Sequence, residues 1–407
     1  MTFDTDIVIA GGGLNGTSLG LALASVGFDV TIVDPVPPDT RADRDFDGRG
    51  YALSIASQRV LKALGVWSDI AKDAQPILDI KVTDGRPGEG PSPLMLAFDH
   101  AEIEEGPMGY MVQDRNLRPA LLAAVETAGI RQLNEMRVVE QTPDANGVSV
   151  MLDDGTALRA RLLVGCDGKS SSVASRAGIK RTGWEYGQTA LVCAIEHELP
   201  HDGTAHQFFM PSGPLAILPL TGNRASIVWT ESTERGEEIQ SLGDDDYLDI
   251  LRPRFGDFLG DISLAGKRFR YPLGLSLAQS FVGPRVALVG DAAHAVHPIA
   301  GQGLNAGLKD VAALAEVLAD AIRRGEDIGR DDVLARYRQW RRFDTATLAL
   351  ATDGFNRLFS NDNSFLRALR DLGLGAANAL PGLRRGLIRE AAGLTGDLPK
   401  LAKGQPL

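Results

Sequence analysis

The stretch Asp6-Ile7-Val8-Ile9-Ala10-Gly11-Gly12-Gly13-Leu14-Asn15-Gly16 decides the fold. Residues 6–10 are a short apolar run, which reads as a buried parallel strand. The glycine cluster follows at once. Leu14 to Val26 is rich in Leu and Ala and reads as a helix, with Gly27 as its C-cap. A second apolar run, Val30 to Val33, ends in Asp34. The order is strand, glycine turn, helix, strand, acid. Gly11, Gly13 and Gly16 have the Gly-x-Gly-x-x-Gly spacing, and Asp34 lies 18 residues beyond Gly16. Gly11 permits the tight turn, Gly13 lets backbone approach a pyrophosphate, and Gly16 lets helix and strand pack closely. The helix N-terminus offers unpaired N–H groups and partial positive charge to phosphates. A carboxylate at the end of the second strand accepts hydrogen bonds from ribose hydroxyls. The unit is a dinucleotide site; by itself it does not separate NAD from FAD.

Farther along, Leu162 to Val164 forms another short apolar strand. It runs into Gly165-Cys166-Asp167-Gly168-Lys169-Ser170. The Gly168-Lys169-Ser170 tripeptide imitates a phosphate loop, but the position five residues before Gly168 is Leu163 rather than glycine. A third strand is expected over Arg285 to Val289. Gly290-Asp291-Ala292-Ala293-His294, Pro298 and Gly301-Gln302-Gly303-Leu304-Asn305 follow it. From Leu304 to Ile322 apolar residues recur at helical spacing, with Asp310 expected on the polar side. A strand end therefore sets Asp291 beside a ligand. A glycine-rich turn then feeds a second helix N-terminus, whose N–H groups suit an electron-rich ring or a phosphate.

Composition bounds the function. The 407 residues have room for two or three domains and a sizeable core, with 44% hydrophobic and 23% charged residues. The net charge of −11 makes nucleic acid a poor partner. Two cysteines, Cys166 and Cys193, fit a reducing compartment better than a disulfide framework. The N-terminus lacks a basic, then apolar, leader. No window holds 18 consecutive apolar residues, so no membrane-spanning helix is expected. The expected location is the cytoplasm.

The three motifs in this order resemble those of the para-hydroxybenzoate hydroxylase type of flavoprotein monooxygenase. The run from His294 to Asn305 sharpens the match. It is similar to the signature of the UbiH/UbiF/VisC family of FAD-dependent ubiquinone-biosynthesis hydroxylases. Arg49 with Ala52-Leu53-Ser54, Gly109 to Gln113 before Arg115, and Tyr337, Trp340-Arg341-Arg342 and Thr352-Asp353-Gly354-Phe355 agree with it. The chain departs from the family at Asp114, where an asparagine commonly precedes the arginine.

The resemblance implies an α/β fold. A Rossmann-like FAD-binding domain (1–75, 99–180 and 268–332) would carry an inserted β-sheet-rich substrate domain (76–98 and 181–267). A helical C-terminal region would cover 333–407. FAD would be held by Gly11, Gly13, Gly16, Asp34, Arg49, Arg115, Asp167, Gly168, Gly290, Asp291, Pro298, Gly301, Gly303, Leu304 and Asn305. NAD(P)H would be the reductant, and no second complete glycine fingerprint offers it a domain of its own. Oxygen transfer from O₂ to a prenylated phenol or quinone precursor would pass through a C4a-hydroperoxyflavin. The cofactor carries that chemistry, so no side chain is singled out as catalytic. Other ubiquinone-biosynthesis proteins are expected partners. Two alternatives stay open: a hydroxylase of another aromatic or polyketide-like compound, and a flavoprotein subunit without turnover.

His197, His201 and His206 fall within ten residues but lack a helical register; they read as a solvated polar loop rather than a metal site. Strands are expected over Ile77–Val82, Leu94–Phe98, Ala190–Ile195, His206–Met210, Leu215–Leu218 and Ala225–Trp229. Residues 365–393 interleave five arginines with Leu, Ile and Phe against Asp371 and Glu390. Such a stretch either packs its apolar side on the flavin domain or lies on an anionic membrane surface.

Overall fold

A computed structural model describes residues 2–86, 88, 90–103, 105–296, 301–359, 375 and 377–407. Four apolar runs assemble into one parallel sheet because each is buried on both faces. Its order is Val282–Gly283, Val286–Leu288, Leu162–Gly165, Ile7–Ala10, Val30–Asp34, Arg131–Asn134, with only the first strand antiparallel. Ile7 pairs with Val30 on one side and Leu162 on the other, which puts Ala10, Val33 and Gly165 at a common carboxyl edge. The helix Leu14–Ala24 closes the first crossover and packs on the long helix Gln302–Arg323. In α/β sheets of this kind ligands bind at that edge.

The first helix ends earlier than expected. Its cap is Ser25, and Gly27 takes φ +92° in the turn beyond. The strand expected over Arg285–Val289 is Val286–Leu288, because Arg285 itself has φ +56° and turns its guanidinium to Asp327.

An eight-stranded sheet stands over this unit. Its order is His294–Ala295, Ile262–Ala278, Arg181–His197, Arg224–Ser232, Gly213–Leu220, Thr204–Met210, Asp79–Arg86, Gly90–Asp99. Five of these strands contain expected runs whole; the sixth run, Ile77–Val82, is split, with Ile77 ending the strand Gln75–Ile77 of a separate small sheet and residues 79–82 opening Asp79–Arg86. The strand Ile262–Ala278 was not foreseen; its Gly266, Pro272, Gly274 and three basic residues look like loop. It runs through position 268, so the sheet continues past that expected boundary. Two helices, Thr233–Ser241 and Asp244–Phe255, cover its outer face over Leu191, Cys193, Ile217, Ile227 and Trp229. A small sheet of Gly50–Ser54, Gly109–Gln113 and Gln75–Ile77 lies against the inner face. A third, of Ala157–Ala160, Val148–Leu152 and Val138–Pro143, braces the parallel sheet. The C-terminal helices are Asp331–Phe359 and Pro381–Ala391. Among the described residues no helix is long and apolar enough to cross a membrane.

Candidate functional site

The first glycine turn is built so that side chains are impossible at two positions and unopposed at a third. A Cβ on Gly11, at φ +106°, would meet the Cys166 carbonyl oxygen at 2.3 Å; one on Gly16 would meet the Gly11 oxygen at 1.8 Å. A Cβ on Gly13 would meet nothing within 4 Å. So Gly11 and Gly16 close the strand–helix packing, while Gly13 fronts open space at the helix N-terminus. Asp34 is buried; its Oδ2 accepts from the Gly12 N–H at 2.6 Å and its Oδ1 from Val36 N–H at 2.8 Å. A carboxylate has about four acceptor positions, so hydroxyl donors can still be accommodated.

Arg41 was missed by sequence reading. It is buried, its Nε is 3.8 Å from Asp34 Oδ1, and its Nη1 donates to the Gly12 carbonyl at 3.2 Å. Nη2 donates to Asn134 Oδ1. Burial lowers its pKa, and Asp34 opposes that. No local pattern distinguishes this arginine from Arg44, three residues away.

The other end of the cradle centres on Gly290 to His294. Gly290 has φ +64°, and a Cβ there would collide with the Asn15 amide at 2.2 Å. Asp291 reaches solvent. The protein around it pushes its carboxyl above the usual range, against the pull of His294, Arg181 and Lys169. Arg181 clamps this turn to the eight-stranded sheet. Its Nη2 donates to Asp291 O at 3.1 Å and Ser276 O at 3.2 Å, its Nε to Ser276 Oγ at 2.8 Å, and its Nη1 to Ala292 O.

Asp310, expected on the polar side of its helix, is fully buried. The reason is its partners. Oδ2 accepts from Gly290 N–H at 2.9 Å and bonds His294 Nε2 at 2.6 Å; Oδ1 accepts from Arg341 Nε at 2.7 Å. Burial opposes its charge, yet His294 and Arg341 hold the carboxyl below its ordinary range. His294 therefore anchors the turn instead of projecting from it.

Gly301 takes φ +63° and starts the helix Gln302–Arg323. Asn305 locks that start. Its Nδ2 donates to Ala52 O at 2.8 Å and Gly301 O at 3.0 Å; its Oδ1 accepts from Ser54 N–H at 2.9 Å and Ser57 Oγ at 2.6 Å. The side chain is saturated, so Asn305 shapes the site through backbone. Gly303 has open space where a Cβ would stand. His297 and Pro298 lie outside the described residues.

Three expected residues are engaged by protein groups. Asp167 accepts from Ser171 Oγ, Ser172 N–H and Val173 N–H, opening the helix Ser172–Arg176, with Gly168 at φ +80° beside it. Arg49 pairs with Asp47 at 2.6 Å and Asp114 at 3.4 Å and lies over Phe269. Arg115 donates to Gln113 Oε1 at 2.7 Å and lies over Phe46, as does Arg224. Asp114, where the chain departs from the family resemblance, is buried and accepts from Tyr51 at 2.8 Å and from both Nε and Nη2 of Arg118. The three histidines do not form a solvated loop. His197 is buried with Nδ1 on Leu199 O, His201 Nε2 bonds Leu220 O, and His206 stacks on Phe258. His197 and His201 bond carbonyls at strand ends, while His206 packs within the strand Thr204–Met210 against aromatic rings.

An FAD fits this arrangement. Two helix N-termini converge on one sheet edge, open space stands in front of Gly13 and Gly303, and the buried Asn15 Oδ1 between them has no partner among the described residues.

The comparisons with known proteins point the same way. The family model described as an FAD binding domain matches residues 4–349. The ubiquinone hydroxylase UbiL of Rhodospirillum rubrum is 44% identical over 406 residues, covering 99% of this chain and 93% of the relative. The 3-demethoxyubiquinol 3-hydroxylase of Escherichia coli is 36% identical over 396 residues, covering 96% and 99%. Among solved structures, p-nitrophenol 4-monooxygenase PnpA from Pseudomonas putida superposes with a TM-score of 0.80 at 20% identity, covering 97% and 99% of the two chains. That likeness bears on the fold.

Proposed function

The chain belongs to the FAD-binding-domain family of flavoprotein monooxygenases, among the ubiquinone hydroxylases, and from that premise we propose that it hydroxylates the ring of a prenylated phenol intermediate of ubiquinone biosynthesis, using NAD(P)H and O₂. The observation that carries this reading is the full-length relationship to two ubiquinone-pathway hydroxylases. FAD, when bound, supplies the electron and oxygen transfer. The chain's own residues bind, orient and exclude water.

In this reading Gly11 to Gly16 and the first helix N-terminus hold the pyrophosphate. Asp34 and Arg41 hold the adenosine ribose. Asp291 holds the ribityl side, and the backbone from Gly301 to Leu304 lies against the ring. Asp310, His294 and Arg341 keep the Gly290 turn in place from behind. The parallel sheet is the cofactor unit, and the eight-stranded sheet is a roof that keeps water from the ring. Arg181 joins the two.

The test is deletion of the gene in its native host, with mass analysis of the quinone pool. Accumulation of a prenylated phenol one hydroxyl short, restored by the wild-type chain, supports the assignment; a normal pool overturns it.

Membrane docking is the second part of the proposal. Leu380, Leu383 and Leu387 are 56%, 50% and 36% exposed, beside Arg384, Arg385 and Arg389. Phe343 and Leu350 on the preceding helix are 77% and 74% exposed. Exposed apolar side chains with interleaved arginines suit an anionic lipid surface. Arg367, Arg370 and Asp371 of the same basic stretch lie outside the described residues. Flotation with vesicles containing an anionic lipid checks this: the protein rises with them, and less so when Leu383 and Leu387 are both changed to Ser. No flotation with any vesicle sinks the docking.

A further inference from the structure

The inner face of the roof sheet holds one row that packing does not close. In strand register, Gln207 faces Ala216, Ala216 faces Val228, Val228 faces Val192, and Val192 faces Phe269. Residues in register share a face, so these five form one line across five strands. Their sequence neighbours Phe208, Leu215, Ile227, Trp229, Leu191 and Cys193 belong to the outer core, which assigns the row to the inner face. All five are half-buried.

The rows on either side are more closed. On one side Ala205, Ser226 and Ala194 are at most 3% exposed, with Leu218 and Ala265 of the same row half-buried, and Ala194 packs with Met111 and Leu220. On the other, Phe209, Thr230 and Ala190 are at most 4% exposed, and the row opens at Tyr271. A half-open line between two more closed ones is a shallow groove. It runs beside the flavin helix. Ala52 packs on the same cluster as Ala194 and Leu220, and a Cβ on Gly301 would stand 3.0 Å from the Ala52 Cβ.

The groove has a chemical polarity. Ala216, Val228 and Val192 are small and apolar. Gln207, beyond which the register continues to the half-buried Val82 and the buried Leu96, carries a buried Nε2 with no hydrogen-bond partner among the described residues. A buried donor left unpaired is unfavourable, and a ligand acceptor satisfies it. At the other end Phe269 stacks with Tyr271, which is 44% exposed. Four strand spacings of about 4.8 Å make the line roughly 19 Å long. That accommodates an aromatic ring and the first units of an attached chain, not a long polyprenyl tail.

We propose that this row is the substrate floor and that Gln207 orients the substrate. Its Nε2 donates to an oxygen on the phenol ring. The prenyl chain crosses the strands over Ala216, Val228 and Val192 and leaves past Phe269 and Tyr271. The inference rests on the prenylated-phenol reading above and adds the residues that set its orientation and chain length.

Steady-state assays on the FAD-loaded enzyme test it, using a phenol with one isoprene unit and one with three. Gln207→Leu removes the donor, and is expected to raise KM roughly ten-fold or more for both compounds. Peroxide released per NAD(P)H consumed rises too, while FAD content and the visible spectrum stay as in wild type. Val228→Phe fills the track. It is expected to depress kcat/KM at least ten-fold more for the longer compound than for the shorter one. Should Val228→Phe fail to fold, Ala216→Val narrows the same line with a smaller bias in the same direction. Wild-type KM and coupling in FAD-loaded Gln207→Leu overturn the orienting role. Equal losses on both compounds in the track variants overturn the chain path. A wild-type enzyme inert toward both phenols counts against the substrate reading itself, which separates the two failures.

Discussion

The parallel sheet and the roof sheet present opposite surfaces to their ligands. Every residue of Ile7–Ala10, Val30–Asp34 and Leu162–Gly165 is buried. With both faces covered, that sheet has no side chains to offer, so it works at its carboxyl edge through glycine, backbone N–H groups and one acid. The roof sheet alternates. One face is core, and the other is closed in part by the small sheet and leaves Gln207, Ala216, Val228 and Val192 half-buried. In the proposed reading, cofactor binding would rest on backbone positions that tolerate one residue type, and substrate binding on side chains whose volume can be tuned. Changes in the first region should therefore be all-or-none, and changes in the second graded.

The largest effect is expected at Gly16. Its missing Cβ would stand 1.8 Å from a backbone oxygen, so helix and strand must separate to admit one. Gly16→Val is predicted to yield protein without bound flavin, with FAD affinity down by 100-fold or more, read from visible absorbance after reconstitution and gel filtration. A yellow Gly16→Val enzyme would break the contrast at its root.

Asp310 ranks next. Asp310→Ala leaves Arg341 without its buried counter-charge, and Gly290 N–H and His294 Nε2 without an acceptor. Removing one partner of a buried ion pair costs roughly 3–5 kcal/mol. Urea unfolding should show a loss of that size, and FAD titration a weaker complex, because the Gly290 turn is no longer tied down. A loss below about 1 kcal/mol would mean that the turn stands on its own.

The roof supplies a pH-dependent counterpart. Burial pushes His206 down to about 4, with Lys81 adding to the shift. Its folded pKa lies below the unfolded one, near 6.5. The unfolded chain thus binds the extra proton as pH falls through that window, and stability is lost between about pH 6.5 and 4. Between pH 7 and pH 5 the loss from this residue is at most about 2 kcal/mol. Comparing wild type with His206→Gln by urea unfolding at the two pH values isolates it: the variant should lose less. Parallel pH profiles would show that His206 reaches water in the folded state.

How far each region could be read in advance follows from the same contrast. The first glycine turn was legible because all its requirements lie within about thirty residues: two apolar runs, three glycines and Asp34. The cradle's second half was legible only in part. Gly290, Asp291 and Gly301 carry positional meaning, but Asp310 is buried because of His294 and Arg341, the latter 31 residues away. Trp340-Arg341-Arg342 looks like any exposed basic run. Arg41 was hidden for the same reason, since its neighbours Asp34, Gly12 and Asn134 come from three separate segments. Six roof strands showed in their apolar runs, while Ile262–Ala278 did not, because it carries Gly266 at φ +80° where Asp47 and Gly48 press on it. The groove itself was invisible. Alternation tells which residues share a face, but only strand register tells which of them stand in one line.

The smallest effect sharpens the comparison most cleanly, because the same substitution can be made in both regions. Ser54 and Ser232 are both helix N-caps, accepting from Ser57 N–H at 3.2 Å and Arg235 N–H at 3.3 Å. Loss of a cap costs about 1 kcal/mol. Ser232 is exposed at the start of a helix on the outer face of the roof, far from the cradle in the chain's packing. Ser232→Ala should therefore lower stability by about that amount and leave FAD affinity unchanged. Ser54 is buried, and its own N–H donates to Asn305, the side chain that locks Gly301. Ser54→Ala keeps that N–H and removes the same cap, but it also removes the Oγ that donates to Ser57 Oγ at 3.2 Å, and Ser57 Oγ is the second donor to Asn305, so the element on which the flavin helix begins is loosened. It should match Ser232→Ala in unfolding free energy to within a kcal/mol or so, and differ from it by a several-fold weaker FAD complex. If the two variants bind FAD equally well, Asn305 holds Gly301 without help from this strand, and the cradle is stiffer than its hydrogen bonds imply.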